Sequence, residues 1–386
     1  MISIRECLNS ERLDQIRATH TDFVVEEIDK RIDFYSHLFS WLLYNQNENN
    51  IPEDLIRTEV NNGIVHHKQA VSLIKKLFNN EHSFTRNSYG LLASPEAFKN
   101  DALNYQGIIA CLDKLKSKSR SIVNLDFTTS TQASRYYTLS KSSYQPLLFL
   151  IPAIFDYGWF SRLGPGKKWG PYQLIANLEM RVCPYCNQQY TFSVSRKRKK
   201  ITRAELDHFL PREQHPLLAL SFFNLIPSCT VCNRNLKGRS PFSYDTHFSP
   251  YEQNEKHGFL YFDYEPTSYL GAVGESDDIT IKVIKDPQIS SSRIKAQLGG
   301  NLEIFKHDIL INEHKDVVQE IIRKRHISND SYIETLIKTF PGAKLNYEEA
   351  YRLAYGNFYD ECYFNKRPLA KLTRDIADKL GALKPF

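Results

Sequence analysis

Four of the seven cysteines in this chain form two Cys-x-x-Cys pairs, Cys183 and Cys186 in "CPYC" and Cys229 and Cys232 in "CTVC", with 42 residues between them. A two-residue gap lets both sulfurs of one turn reach a single ion, and four thiolates suit tetrahedral zinc. No basic start, apolar run and small-residue cleavage site opens the sequence, so a cytoplasmic setting is expected, and there the pattern favours metal over disulfide. A structural zinc binds with about 10–16 kcal/mol, comparable to the ~5–15 kcal/mol that stabilises a whole domain. A closed four-sulfur shell leaves no open coordination position, so any chemistry must fall to other residues inside the frame. Cys7, Cys111 and Cys362 stand alone and read as packing residues.

Charge is concentrated in the same place. Between Arg181 and Pro250 there are eleven Lys or Arg and four Asp or Glu, whereas the rest of the chain carries 39 basic and 40 acidic residues. The basic excess therefore belongs to the cysteine-bearing segment, as on a surface that meets phosphates. Its densest part is "SRKRKK", with Arg196, Lys197, Arg198, Lys199 and Lys200. This run and Lys237 are the expected nucleic-acid contacts, which Arg203, Arg212, Arg234 and Arg239 extend. A solvated loop is the bland alternative for any charge run.

Inside the frame lies "LDHFLP", a short strand that should stop at Pro211. Asp207 offers a hard oxygen suited to Mg²⁺ or Mn²⁺, and His208 is a base with an unperturbed pKa of roughly 6.5. Taken alone, an Asp-His pair reads as well as a buried structural pair. Asn224, in the apolar "SFFNLIPSC", must be hydrogen-bonded if buried and can tie down the loop that presents His208. Asn233 follows Cys232 directly, at the expected start of a helix, where its carbonyl can supply a second oxygen to an ion on Asp207. Asn235 is the fallback. His247 is close enough in sequence to sit near the site, though packing or capping is the better reading, and His215, His66 and His67 carry still less signal.

As a whole the chain, 386 residues with 41% hydrophobic and 24% charged, has ordinary globular composition and room for two or three domains. "SERLDQIRATHTDFVVEEIDKRIDFYSHLFSWLLY" has apolar residues every three or four positions behind a capping Ser10, and "HHKQAVSLIKKLF" and "YQGIIACLDKLKS" repeat the character. "RLGPGKKWGPY" marks a boundary and lacks the residue order of a phosphate loop. "GFLYFDYEP" and "DITIKVIKD" alternate as strands, and "NLEIFKHDILINEHKDVVQEIIRKRH" and "NYEEAYRLAYGNFYDECYF" read as helices. "PLLFLIPAIF" is too short to span a bilayer, so no membrane contact and a cytoplasmic location are expected.

Asp207-His208, Asn224 and Asn233, framed by paired Cys-x-x-Cys motifs, resemble the ββα-metal module of HNH endonucleases. The last motif reads Cys-x-x-Cys-Asn where many such modules read Cys-x-x-Cys-His, which bears on metal preference more than on activity. "CPYCNQQY", "LDHFLP", "ALSFFNLIPSC" and "FNKRPLAKLTRDIADKLG" further resemble the HNH component of Septu-like anti-phage systems, which occurs beside an ATPase. The resemblance is strong over 170–250 and weaker over 300–386. The periodicity reads as a mostly helical N-terminal domain at 1–165, which the resemblance does not cover, and the resemblance implies a central HNH module with a four-cysteine structural zinc at 166–250 in an α+β chain. A mixed α/β, then helical region follows at 251–386.

It further implies a metal-dependent endonuclease that hydrolyses DNA, with RNA not excluded. His208, Asp207, Asn224 and Asn233 would be catalytic, with Mg²⁺ or Mn²⁺ on Asp207 and Asn233. Two alternatives stand beside it: a non-catalytic, zinc-stabilised nucleic-acid-binding module, and a nuclease subunit active only with an ATPase partner.

Overall fold

The computed structural model describes residues 2–48, 50–56, 71–72, 74–75, 102–126, 147, 150–252, 259–327 and 332–381. The chain mixes helix with small sheets, and its contacts divide it into two compact units. One comprises Met1–Ile16, Tyr172–Phe209 and Ile226–Phe386; the other comprises Arg17–Pro171 and Leu210–Leu225. Among the described residues no helix is long and apolar enough to cross a membrane. Most of the helix expected over 66–78, with His66 and His67, lies outside the described residues.

The expected N-terminal helix is one element, Ser10–Tyr44. Its cap is Asn9 rather than Ser10: Asn9 Oδ1 accepts from Arg12 N–H at 2.7 Å. An Asx side chain one position earlier reaches the third amide of the helix, which frees Ser10 to be helical. Within the second unit, buried His20 on this helix packs edge-on against Phe160 and lies against Phe222. The second long helix there is Ala102–Val123.

Among its described residues the first unit holds three two-stranded sheets. Strands β1 (Val194–Arg196) and β2 (Lys199–Thr202) form an antiparallel hairpin, and β3 (Glu205–His208) pairs with β4 (Leu225–Ser228). Strands β5 (Leu260–Pro266) and β6 (Ile279–Lys285) pair antiparallel along their full length, from Leu260 opposite Lys285 to Pro266 opposite Ile279. Both alternate as their sequences predict. Phe262, Ile279 and Ile281 turn inward onto a core shared with Ile321, Ile322, Leu372 and Ile376. The Ala370–Lys379 helix is fastened to this sheet by Asp375, whose Oδ2 accepts from Phe262 N–H at 3.0 Å.

The single helix expected from Asn301 onward is broken. Ser292–Phe305 ends at Lys306, which sits at φ 48°, and the chain resumes as His307–Leu310, a 3₁₀ turn and Lys315–Ile327. The break lets two neighbours grip one residue. Phe305 stacks on Tyr185 at 4.5 Å, and His307 Nε2 donates to the Tyr185 carbonyl at 2.8 Å. Gly300 permits the Ser292–Phe305 helix to lie close against the Thr246 backbone, since a Cβ there would fall 2.2 Å from Thr246 O.

Candidate functional site

The first cysteine pair sits on a narrow turn. Val182 bridges Tyr190, Cys183 N–H donates to Gln189 O at 2.9 Å, and Thr191 N–H donates to Arg181 O at 2.8 Å. Asn187 closes the turn at φ 54°, a left-handed conformation that Asn tolerates better than most residues. Both ends of its amide are bonded: Nδ2 donates to Phe364 O at 3.0 Å, and Oδ1 accepts from Lys371 N–H at 3.1 Å. The C-terminal segment thereby holds the cysteine turn in place.

The second pair opens the short helix Val231–Lys237, whose turns are wide. Gly238 N–H bonds Asn233 O at 2.9 Å, an i→i+5 bond of the π type, which is frequent at functional sites. The four cysteines are buried, and their Sγ atoms all lie within 4.8 Å of one another. A tetrahedral ion with sulfurs at about 2.3 Å separates them by roughly 3.8 Å, so the cluster is positioned to hold one metal ion. Backbone amides complete it: Gln188 N–H points at Cys186 Sγ and Cys232 N–H at Cys229 Sγ, both at 3.4 Å. Hydrogen bonds among the four sulfurs hold Cys186 and Cys229 below the ordinary thiol value and Cys232 above it. Burial chiefly raises Cys183. This donor set, closed and all-sulfur, suits zinc.

The metal turn and strand β3 meet at Asp207. Tyr185, between the first two cysteines, donates its hydroxyl to Asp207 Oδ2 at 2.6 Å. Burial first, then the Asp207 charge, raises the Tyr185 phenol well above its usual value, so it remains a donor. Lys237 places its ammonium 2.6 Å from Asp207 Oδ1, and both side chains are at most 4% exposed. The same ammonium donates to the His208 carbonyl and lies over the Phe242 ring at 4.8 Å. Lys237, expected among the nucleic-acid contacts, is therefore buried, with its charge spent on Asp207.

Two residues earlier on the strand, Glu205 repeats the pattern. Its Oε2 accepts from Asn233 Nδ2 at 2.7 Å and its Oε1 from Arg234 Nε at 2.6 Å. Glu205 and Asp207, two residues apart, share one strand face, and Asn233 and Lys237 on the helix meet them in the same order. Asn235 is exposed. Tyr185 and Glu205 were not singled out in the sequence; the usable signal was their place beside a cysteine and beside the Asp-His pair.

His208 ends β3 and is half-buried. Asn224 is fully buried, and its amide spans the loop that follows His208: Oδ1 accepts from Leu210 N–H at 2.7 Å, while Nδ2 donates to Leu210 O and Leu218 O at 3.1 and 3.0 Å. His247 lies face to face with Phe242 at 3.7 Å, bonds Thr246 Oγ1 at 2.8 Å, and is held down to about 4 by burial and then by Lys237. Burial also lowers His215.

The basic run forms the tip of the β1–β2 hairpin. Arg196 pairs with Lys199, Ser195 with Lys200, and every residue of both strands is exposed. Lys197 and Arg198 make the two-residue turn at φ 48° and 63°, both left-handed, the geometry that matches a hairpin's twist. Five cations thus project on a hairpin with no apolar cover. Arg203, by contrast, bonds Ala204 O and lies over Tyr172, Arg212 lies over Tyr157, and Arg239 is exposed.

Over 68 residues the chain is 38% identical to a protein described as Septu protein PtuB from Bacillus thuringiensis. The shared stretch is 17% of this chain and 24% of that protein's length. No family model matches the chain. No solved structure matches it either.

Proposed function

We propose that the chain is a metal-dependent endonuclease of the HNH type that hydrolyses DNA phosphodiester bonds and acts in anti-phage defence. The observation that carries this is the junction of β3 with the Val231–Lys237 helix. It sets a buried carboxylate and a histidine beside a four-cysteine metal cluster and next to an exposed basic hairpin. The partial likeness to a Septu protein supports the defence role and, through such systems, an ATPase partner.

The cysteines supply the scaffold, with zinc in the closed sulfur shell. His208 takes a proton from water on its imidazole nitrogen, and the resulting hydroxide attacks phosphorus in line, breaking the bond to the 3′ oxygen. Asp207 and Asn233 Oδ1, hard oxygens on facing elements, would hold Mg²⁺ or Mn²⁺, which when bound stabilises charge on the leaving oxygen. Each Asp207 oxygen keeps a second lone pair beyond its present donor. Tyr185 and Lys237 orient Asp207, and Asn224 holds the loop after His208. Arg196, Lys197, Arg198, Lys199 and Lys200 meet the phosphate backbone.

Plasmid cleavage by wild type and His208→Ala, with Mg²⁺, Mn²⁺ or EDTA at low salt, tests the reading. Nicking is expected only with metal and wild type, while both proteins retain equal zinc and equal DNA affinity. Cleavage that survives EDTA or the substitution would sink it.

One feature favours a second reading, a zinc-stabilised binding module without catalysis. Both Asp207 oxygens already have donors, one of them a full cation. DNA binding without cutting, in the presence of the ATPase partner as well, is the result that selects it.

A further inference from the structure

A cleft of about 790 Å³ opens in the first unit between the Pro171–Leu178 helix, the segment after the cysteine turn and the loop at Lys366. Its size lies within the range of small-molecule sites. Three cations line it, Arg181, Lys366 and Arg367, against one carboxylate, Glu179. Two aromatic rings line it as well. Tyr190 and Phe192 are 55% and 46% exposed, with centroids 5.4 Å apart. Strand alternation puts both on one side of the chain, with Thr191 buried between them.

The cations are unequally engaged. Lys366 pairs with Glu179 at 3.0 Å, and Arg367 donates to Gly356 O while lying over Phe358. Arg181 is exposed, with no ion-pair partner among the described residues. The walls are firmly set. Arg181 N–H donates to Asn365 O at 3.1 Å, Asn365 Nδ2 donates to Glu179 O at 3.1 Å, and the cysteine turn holds Tyr190 from the other side.

Exposed rings beside an unneutralised guanidinium match a ligand that is flat and aromatic at one end and anionic at the other. We propose that this cleft binds a nucleotide unit with an unstacked base, the base lying on Phe192 or Tyr190 and its phosphate on Arg181 and Arg367. The source is an unpaired stretch of the DNA strand. The proposal rests on the nucleic-acid reading above and adds a preference for single-stranded flanks, because a paired base cannot present its face to a side chain. The cleft is separate from the hairpin's cations, which serve any backbone.

Fluorescence anisotropy with a labelled oligothymidylate and a labelled blunt duplex, plus calorimetry with free dTMP, tests it on the full chain. The variants are Tyr190→Ala/Phe192→Ala and Arg181→Gln, all at exposed positions, with zinc content and circular dichroism as controls of folding. Loss of stacking is expected to weaken single-strand binding by about 5- to 150-fold per stacked base, leaving duplex binding within twofold. If single-strand affinity is unchanged in both variants, the cleft proposal is overturned while the nuclease reading stands. If wild type binds neither oligonucleotide but binds dTMP in a Phe192-dependent way, the cleft takes a free nucleotide and the DNA reading fails instead. Binding of none of the three overturns both.

Discussion

At the scale of single residues, the decisive contact is Lys237 with Asp207. The pair is buried, so removing one partner strands a charge. Lys237→Met is expected to cost about 3–5 kcal/mol in urea unfolding, and Lys237→Met combined with Asp207→Asn should recover most of it. A loss below roughly 1 kcal/mol would class the pair with solvent-screened ones. The Asp-His pair was legible in the sequence; the cation that balances Asp207 was not. A lysine five residues past a cysteine looks like a surface charge until the wide-turned helix rotates it inward. Asn224 was legible because an amide among Phe222, Phe223 and Leu225 has few options besides bonding the backbone.

At the scale of elements, the cysteine turn and the hairpin act separately. If the four cysteines hold zinc, as they are positioned to, its chelation should dissolve the Val182–Tyr190 bridge and release Asn187 from the C-terminal segment, seen as loss of amide exchange protection in both. Protection unchanged after complete zinc removal would show that the turn stands without metal. If the hairpin meets phosphates as proposed, it answers to charge alone. Lys199→Glu/Lys200→Glu should weaken DNA binding at low salt and flatten the salt dependence, since each lost phosphate contact removes about 0.9 from the log–log slope. An unaltered slope would place the phosphates elsewhere. The strands β5 and β6 were readable from alternation, whereas the break at Lys306 was not. The break brings Phe305 and His307 to either side of Tyr185, more than a hundred residues away, a contact that no local pattern records.

At the scale of the whole molecule, buried histidines set the acid limit. His20 and His307, and His247 with them, are held down to about 4, chiefly by burial. The unfolded chain protonates them near 6.5, so it binds more protons than the native state between about 6.5 and 4. Their contribution is complete above that window and is lost as pH falls through it. Glu252, raised to about 7 by burial, works the other way, favouring the native state on acidification. The three histidines, with His215 lowered in the same direction, oppose Glu252 and the burial-raised Asp29 and Asp375, and net destabilisation is expected from pH 6.5 to 4.5, measured as a falling melting temperature. His20 shows why: Nε2 donates to Leu220 O at 2.9 Å, and Nδ1 accepts from the Trp169 indole at 3.3 Å, so a second proton has no place. A His20→Gln variant whose melting temperature drops as steeply as wild type would remove this residue from the account.

The sequence by itself determined the two cysteine pairs, the Asp-His strand, the basic hairpin and the alternating pair β5–β6. Each depends on spacing within a few residues, where covalent geometry leaves few choices. The tertiary structure decided what those parts face. It turned Lys237 inward, matched Glu205 to Asn233, tied Asn187 to the C-terminal segment and opened the cleft beside Arg181. Contacts across such distances follow from how elements pack, and one local pattern is compatible with many packings.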